Sequence, residues 1–244
     1  MLFMRKIVFT SLAVCFVSLA FAQDDSSVRR MLPNKKETPS NDHFMIQLGH
    51  LSWIGKPDSI NTKGLARTFN FYVLLNFPFK TNPKWSVALG PGIATDNMYF
   101  DEMMVGIKDN TAGIVFDDVS DTAHFKKYKL GTAYLEAPVE LRYRFNPNDD
   151  SKSVKLAIGA KLGTLLAAKI KGVELQSASD QTINDYTLKE KSKRFFNKQR
   201  LSVTGRVGYG AFSLFASYSV TPLFREGLGP TIRPLSIGLT ISGL

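Results

Sequence analysis

The chain has 244 residues, with 31 Lys and Arg against 21 Asp and Glu for a formal charge of +10, and a single cysteine, Cys15. One cysteine excludes a disulfide framework and a multi-thiolate metal site. A mean hydropathy of −0.07, with no run of about 18 apolar residues beyond the first 22, excludes helical membrane spans, and bases spread along the chain rather than gathered in one stripe argue against nucleic acid as a partner.

In chain order, Arg5 and Lys6 precede an apolar run from Ile7 to Leu19, and Ala20-Phe21-Ala22 places small residues around a cleavage point. This pattern predicts a signal peptide over residues 1–22. A lipoprotein site at Cys15 fits less well, because Val14 is large for that cut and the apolar run continues past it. Residues 23–42, rich in Asp, Ser, Lys and Pro, read as a mobile periplasmic N-terminal segment. Residues 43–244 then read as one all-β domain, an outer-membrane β-barrel.

The strand signal is clearest from Leu130 to Phe145. Odd positions such as Leu135, Val139, Leu141 and Phe145 carry no charge, while even positions include Glu136, Glu140, Arg142 and Arg144. Strict alternation means strand, and the length exceeds the 9 to 11 or so residues that a tilted membrane strand needs. The next segment repeats it, with Val154, Leu156, Ile158, Leu162, Leu166, Ala168 and Ile170 on one face and Lys155, Lys161 and Lys169 on the other. Eight strands are expected, at 43–54, 65–79, 84–96, 128–145, 153–170, 200–209, 211–222 and 231–242. Connections after the second, fourth and sixth are short and the others long, as in an eight-stranded antiparallel transmembrane β-barrel with short periplasmic turns and long external loops. In the fourth hairpin, pairing Arg144 with Lys155, Pro138 with Lys161 and Glu136 with Gly163 keeps both apolar faces on one side. Phe77, Trp85, Tyr143, Phe145, Tyr209 and Phe212 gather beside the short turns as an interfacial girdle. Pro91, Pro138, Pro222 and Pro234 each lack a ladder donor and predict bulges or strand ends. In the first strand Phe44, Ile46 and Leu48 share one face and Leu51 and Trp53 the other, which predicts a bulge near Gly49.

A soluble β-sandwich or lipocalin-like barrel also alternates, but strand length, girdle and loop asymmetry favour the membrane form. The stretch Tyr134-Leu-Glu-Ala-Pro-Val-Glu-Leu-Arg-Tyr-Arg-Phe145 resembles the strand signature of the PorT-type outer-membrane β-barrel family of Bacteroidota. The ending from Tyr218 to Ile241, with Thr-Pro-Leu-Phe at 221–224 and Pro234-Leu-Ser-Ile-Gly-Leu239, resembles the C-terminal hairpin of the same group. The resemblance implies the barrel and, through the group's namesake, an accessory place in a type IX-like protein secretion machinery. The chain departs from many outer-membrane barrels in ending on Leu244 rather than an aromatic residue.

Two constellations stand out. Glu136, Glu140, Arg142, Arg144, Lys155, Lys161 and Arg206, with Arg200 and Lys169 on the same polar face, would form a charge cluster filling a narrow lumen; a small anion-preferring pore is the sharper alternative. Seven such bases beside two acids call for water or loop carboxylates to balance them. Outside, Lys191, Lys193, Arg194 and Lys198 flank Phe195 and Phe196 in a candidate partner-binding loop, facing an acidic loop that holds Asp101, Glu102, Asp109, Asp117 and Asp118. Expected partners are outer-membrane lipid and lipopolysaccharide, with other envelope or secretion proteins. No catalytic set, cofactor or metal site emerges: Glu136 and Glu140 lack a cleft, His43 (periplasmic end), His50 (near a strand's outer half) and His124 (external loop) are accompanied by no serine motif, and the Asp117, Asp118, Asp121 spacing matches no calcium loop.

Overall fold

The computed structural model describes residues 43–146 and 152–242. The leader expected over residues 1–22 and the polar segment 23–42 lie outside the described residues. The strands are β1 (Phe44–Ile54), β2 (Arg67–Val73), β3 (Leu75–Pro78), β4 (Trp85–Leu89), β5 (Gly92–Phe100), β6 (Met103–Gly106), β7 (Val115–Asp118), β8 (His124–Arg144), β9 (Val154–Gln176), β10 (Thr182–Lys191), β11 (Gln199–Tyr209), β12 (Phe212–Ser219) and β13 (Arg233–Ser242).

Antiparallel pairing runs β1–β2–β5–β8–β9–β11–β12–β13 and returns to β1, closing an eight-stranded ring. β3 continues the wall of β2, and β4 precedes β5 in another. Side-chain polarity settles the environment of the wall. Leu48, Phe71, Leu135, Val139, Ile158, Leu162, Val203, Leu214 and Leu239 point outward and are exposed, whereas Gln47, Asn70, Glu136, Glu140, Lys161, Thr204, Arg206 and Thr240 are buried inside. A soluble barrel would place these sets the other way round, since burying ions while exposing an apolar belt is stable only where the belt meets hydrocarbon. The expected girdle is present: Trp85 and Tyr143 meet at a tilt at 4.9 Å, Tyr143 and Phe145 meet edge to face at 5.0 Å, and Phe77, Tyr209 and Phe212 lie exposed beside their turns.

The fourth hairpin has the expected register, with Arg144 opposite Lys155, Pro138 opposite Lys161 and Glu136 opposite Gly163. Pro138 produces neither a bulge nor an end. On its other side, β5 pairing stops at Gly92 opposite Glu136 and β4 pairing starts at Leu89 opposite Val139, so Pro138 faces the break at Gly90-Pro91. Two residues that cannot donate thus sit in the same gap. Gly90 and Gly92 make the crossing possible, because a Cβ at Gly90 would lie 1.9 Å from the Val73 carbonyl oxygen and one at Gly92 would lie 2.2 Å from the Tyr72 ring. Pro222 falls after β12 and Pro234 second in β13, as expected of strand ends.

Three further sequence expectations need correction. β1 has no bulge: its register runs unbroken against β2 and β13. Gln47, Leu51 and Trp53 all point inward; the inside itself changes from polar lumen to apolar core as the strand leaves the membrane. β9 does carry a bulge, between the pairs Ala133–Ala167 and Tyr134–Leu165, which leaves Leu166 over and flips everything after it. Ala168 and Ile170 are therefore buried inside while Lys169 is exposed outside, the reverse of a uniform alternation. Finally, the connections expected as loops at 97–127 and 171–199 contain strands β6, β7 and β10 and the outer lengths of β8 and β9. At about 3.3 Å per residue, the 23 residues of β9 reach far beyond an apolar band of about 25 Å.

The excess length builds an external cap. Leu51, Trp53, Phe100, Met103, Ile107, Phe125, Tyr128, Leu130, Ile170, Phe195, Phe196 and Phe224 pack into one apolar core. Trp53 meets Phe100 at 5.7 Å, and Phe224 meets both Phe196, at 5.2 Å, and Phe116, at 6.0 Å.

Candidate functional site

Within the lumen, alternation in β8 aims Glu136 and Glu140 inward, four residues apart on one face with Pro138 between them, and the facing walls supply cations. Glu140 Oε2 accepts from Arg142 Nε at 3.0 Å and Arg206 Nη2 at 2.9 Å. Glu136 Oε1 accepts from Arg200 Nε at 3.0 Å and Nη2 at 2.6 Å, and its Oε2 accepts from the Tyr72 hydroxyl at 2.6 Å. Arg200 also reaches Asp96 Oδ2 at 2.5 Å and stacks 3.8 Å from the centre of the Tyr134 ring. Lys161 donates to Gln47 Oε1 at 3.1 Å beneath the rings of Tyr72 and Phe215. Arg142, Arg144 and Lys155, toward the periplasmic end, are likewise partnered.

The seven residues expected in a lumen cluster are all buried. The expectation erred on two others. Lys169 stands outside, beyond the bulge, and Asp96, absent from the expected cluster, is a third lumen acid. The alternation of β5 gave that signal, since Ala94, Asp96, Met98 and Phe100 share its inward face. A cavity ringed by Asp96, Glu136, Lys161 and Arg200 measures about 20 Å3 and another beside Arg142, Arg206 and Ser213 about 10 Å3. Each has room for about one water. Glu136 and Glu140, each clamped by guanidinium groups, are held as counter-ions rather than as an acid and base facing a cleft.

At the external face, the candidate loop divides by side-chain type. Phe195 and Phe196 are fully buried in the cap core: the larger benefit of burial, about 1.5–3 kcal/mol for a phenylalanine, turns them into anchors rather than contact residues. Lys191, Lys193, Arg194 and Lys198 stay exposed around them. Arg194 reaches the Asp109 and Thr111 carbonyl oxygens at 3.3 and 3.2 Å and Asn110 Oδ1 at 3.4 Å, so the basic and acidic loops do dock on each other. Below this loop a groove of about 830 Å3 opens on the outer wall. Leu162 and Leu201, both exposed, line it together with Asn197, Lys198, Gln199, Arg200, Thr221 and Arg225.

Beside the groove, β10 pairs only with β9 and ends the sheet, with Ile183 and Tyr186 exposed. In the acidic loop, Asp118 accepts from the Ser120 backbone N–H at 3.0 Å, a bond that holds its carboxyl below the ordinary value. Of the histidines, His43 lies 3.3 Å from the Leu74 carbonyl at the turn end, His50 is exposed on the outer wall, and His124 is buried in the cap.

Residues 42–225 match the family described as outer membrane protein beta-barrel domain. No curated protein matches the chain. Among solved structures, the chain is similar to Ail, the attachment invasion locus protein of Yersinia pestis, in complex with the heparin analogue sucrose octasulfate, at 15% identity over 82% of this chain and 94% of that one, with a TM-score of 0.37. The structure of Ail alone matches over the same shares at 15% identity and a TM-score of 0.32.

Proposed function

Since this chain belongs to the outer membrane protein beta-barrel domain family and lies in the outer membrane, we propose that it is a non-enzymatic barrel acting through its external cap, as a structural or partner-binding element of the envelope. The observation that carries this reading is the division of the molecule: a lumen filled by ion pairs below, and above it a cap whose apolar core rigidly displays Lys191, Lys193, Arg194 and Lys198. Loops fixed on a rigid frame are suited to binding, and four exposed bases, of which Lys198 also lines the groove, suit lipopolysaccharide phosphates or another anionic surface. In this reading residues 1–22 are a cleaved leader and 23–42 a periplasmic lead-in.

The test is binding of purified lipopolysaccharide to the refolded protein in micelles, compared with the charge reversals Lys193→Glu and Lys198→Glu. Weakened, salt-sensitive binding in both variants supports the proposal; binding unchanged by either reversal refutes the role of the basic loop. Planar-bilayer recording addresses the rival pore: the filled lumen predicts no steady conductance.

A second reading rests on the 134–145 strand and the 218–241 ending, which favour a PorT-type barrel of Bacteroidota and an accessory place in a type IX-like secretion machinery. Deletion should then lower the amount of secreted protein, and unchanged secretion would remove this reading while leaving the first intact.

A further inference from the structure

Three side chains remote in sequence converge in the external region: Glu102 after β5, His124 at the start of β8 and Asp180 in the β9–β10 turn. Their nearest ligand atoms all lie within 4.8 Å of one another. His124 is the buried member, 4% exposed, and the surroundings of its ring are unusual. Nδ1 lies 3.3 Å from the Thr122 carbonyl oxygen and Nε2 lies 3.2 Å from Asp180 Oδ1. Both neighbours are acceptors only. A neutral imidazole carries a single N–H, so once Nδ1–H donates to the carbonyl, the Nε2 lone pair faces a carboxylate with a second carboxylate close by. A cation on Nε2 resolves that opposition.

We propose that Glu102, His124 and Asp180 bind a borderline divalent cation of the zinc type, which ties the β5–β6 turn, the start of β8 and the β9–β10 turn together. Metal-bound imidazoles are commonly held by a backbone carbonyl on the other ring nitrogen, the place that Thr122 fills here. Two ligands about 2.0–2.1 Å from a tetrahedral ion lie about 3.3 Å apart, close to the 3.2 Å between His124 Nε2 and Asp180 Oδ1. The Asp180 side chain is 78% exposed and Glu102 half-buried, so both can close on an ion by side-chain rotation. One imidazole and two carboxylates select borderline first-row ions, whereas calcium and magnesium prefer sets made of oxygen alone. Three protein ligands leave a fourth position to water or to a donor from a partner. The charge balance is favourable as well: Asp101 stands next to Glu102, and the ammonium facing this cluster, Lys63, is already paired with Asp101 at 2.8 Å.

The experiment is titration of the chelator-treated full chain, refolded in detergent, with zinc chloride and in parallel with cobalt(II) chloride, following heat and the visible cobalt bands. One ion per chain is expected, with four-coordinate cobalt absorption and no displacement by millimolar calcium. Affinity should fall about tenfold or more in both Asp180→Asn and Glu102→Gln, which keep side-chain shape. Zinc should also slow proteolysis of the β9–β10 turn in the unmodified chain but not in Asp180→Asn. Absence of stoichiometric binding, equal binding by the unmodified chain and both variants, or equal displacement by calcium would overturn the proposal.

Discussion

Glu140 accepts from two guanidinium groups while buried, so removing it takes their shared carboxylate out of a lumen with room for little water. Breaking a buried pair by deleting one partner costs about 3–5 kcal/mol. Glu140→Ala should therefore lower the urea midpoint of the refolded barrel sharply, and an unchanged midpoint would mean that the lumen is wetter than its packing indicates. Phe196 is the corresponding test in the cap: Phe196→Ala should cost about 3–5 kcal/mol and make the external connections protease-sensitive while the membrane wall persists. The lumen residues were legible in the sequence because period-two alternation assigns a face to each of them. Phe195 and Phe196 were not, since among Lys193, Arg194 and Lys198 two aromatics read equally well as an exposed contact or as an anchor, and only the core formed by Trp53, Phe100 and Phe224, from three other segments of the chain, decides between the two. His124, Glu102 and Asp180 were invisible for the same reason: no spacing rule joins positions supplied by three separate segments.

At the scale of elements, the bulge at Leu166 sets which face of outer β9 builds the cap. Deleting Leu166 should join the pairs Tyr134–Leu165 and Ala133–Ala167 into one continuous register, leaving Ala168 and Ile170 inward and Lys169 outward, so the cap should persist; limited proteolysis of intact cells would read this as unchanged resistance between β8 and β10, and new cleavage there would contradict it. Alternation alone could not locate the bulge, because Leu165 and Leu166 are both apolar and either suits either face. The foot of the β9–β10 hairpin is tied by Glu174, which accepts from Thr182 at 2.6 Å and from Lys126 at 3.1 Å. These bonds hold its carboxyl below the ordinary value of 4.5. A lowered acid contributes its stabilisation above the unfolded value and loses it as pH falls through the folded one. Acidification below about pH 4.5 should thus loosen this hairpin in the unmodified protein, as seen by faster cleavage near residues 177–181, whereas Glu174→Gln should flatten that dependence.

At the scale of the molecule, one pattern of residues serves two solvents. In the membrane the wall is apolar outside and ionic inside; beyond it the same strands enclose an apolar core and present charge to water. β1 shows the change within 11 residues, from inward Gln47 to inward Trp53, and this is why its sequence reads as a broken alternation although its register is continuous. The ring of eight strands was legible because each wall strand is long and periodic, while the cap was not, since its cohesion comes from contacts between distant connections. The two tryptophans report on both halves: Trp85 lies on the outer wall, 37% exposed, and Trp53 in the cap core at 9%. Fluorescence quenching by brominated lipids in reconstituted vesicles tests the outward-facing apolar wall most directly. Strong quenching of Trp85 in Trp53→Phe, with little quenching of Trp53 in Trp85→Phe, is the predicted result; an unquenched Trp85 in a chain that stays monodisperse without detergent would contradict it.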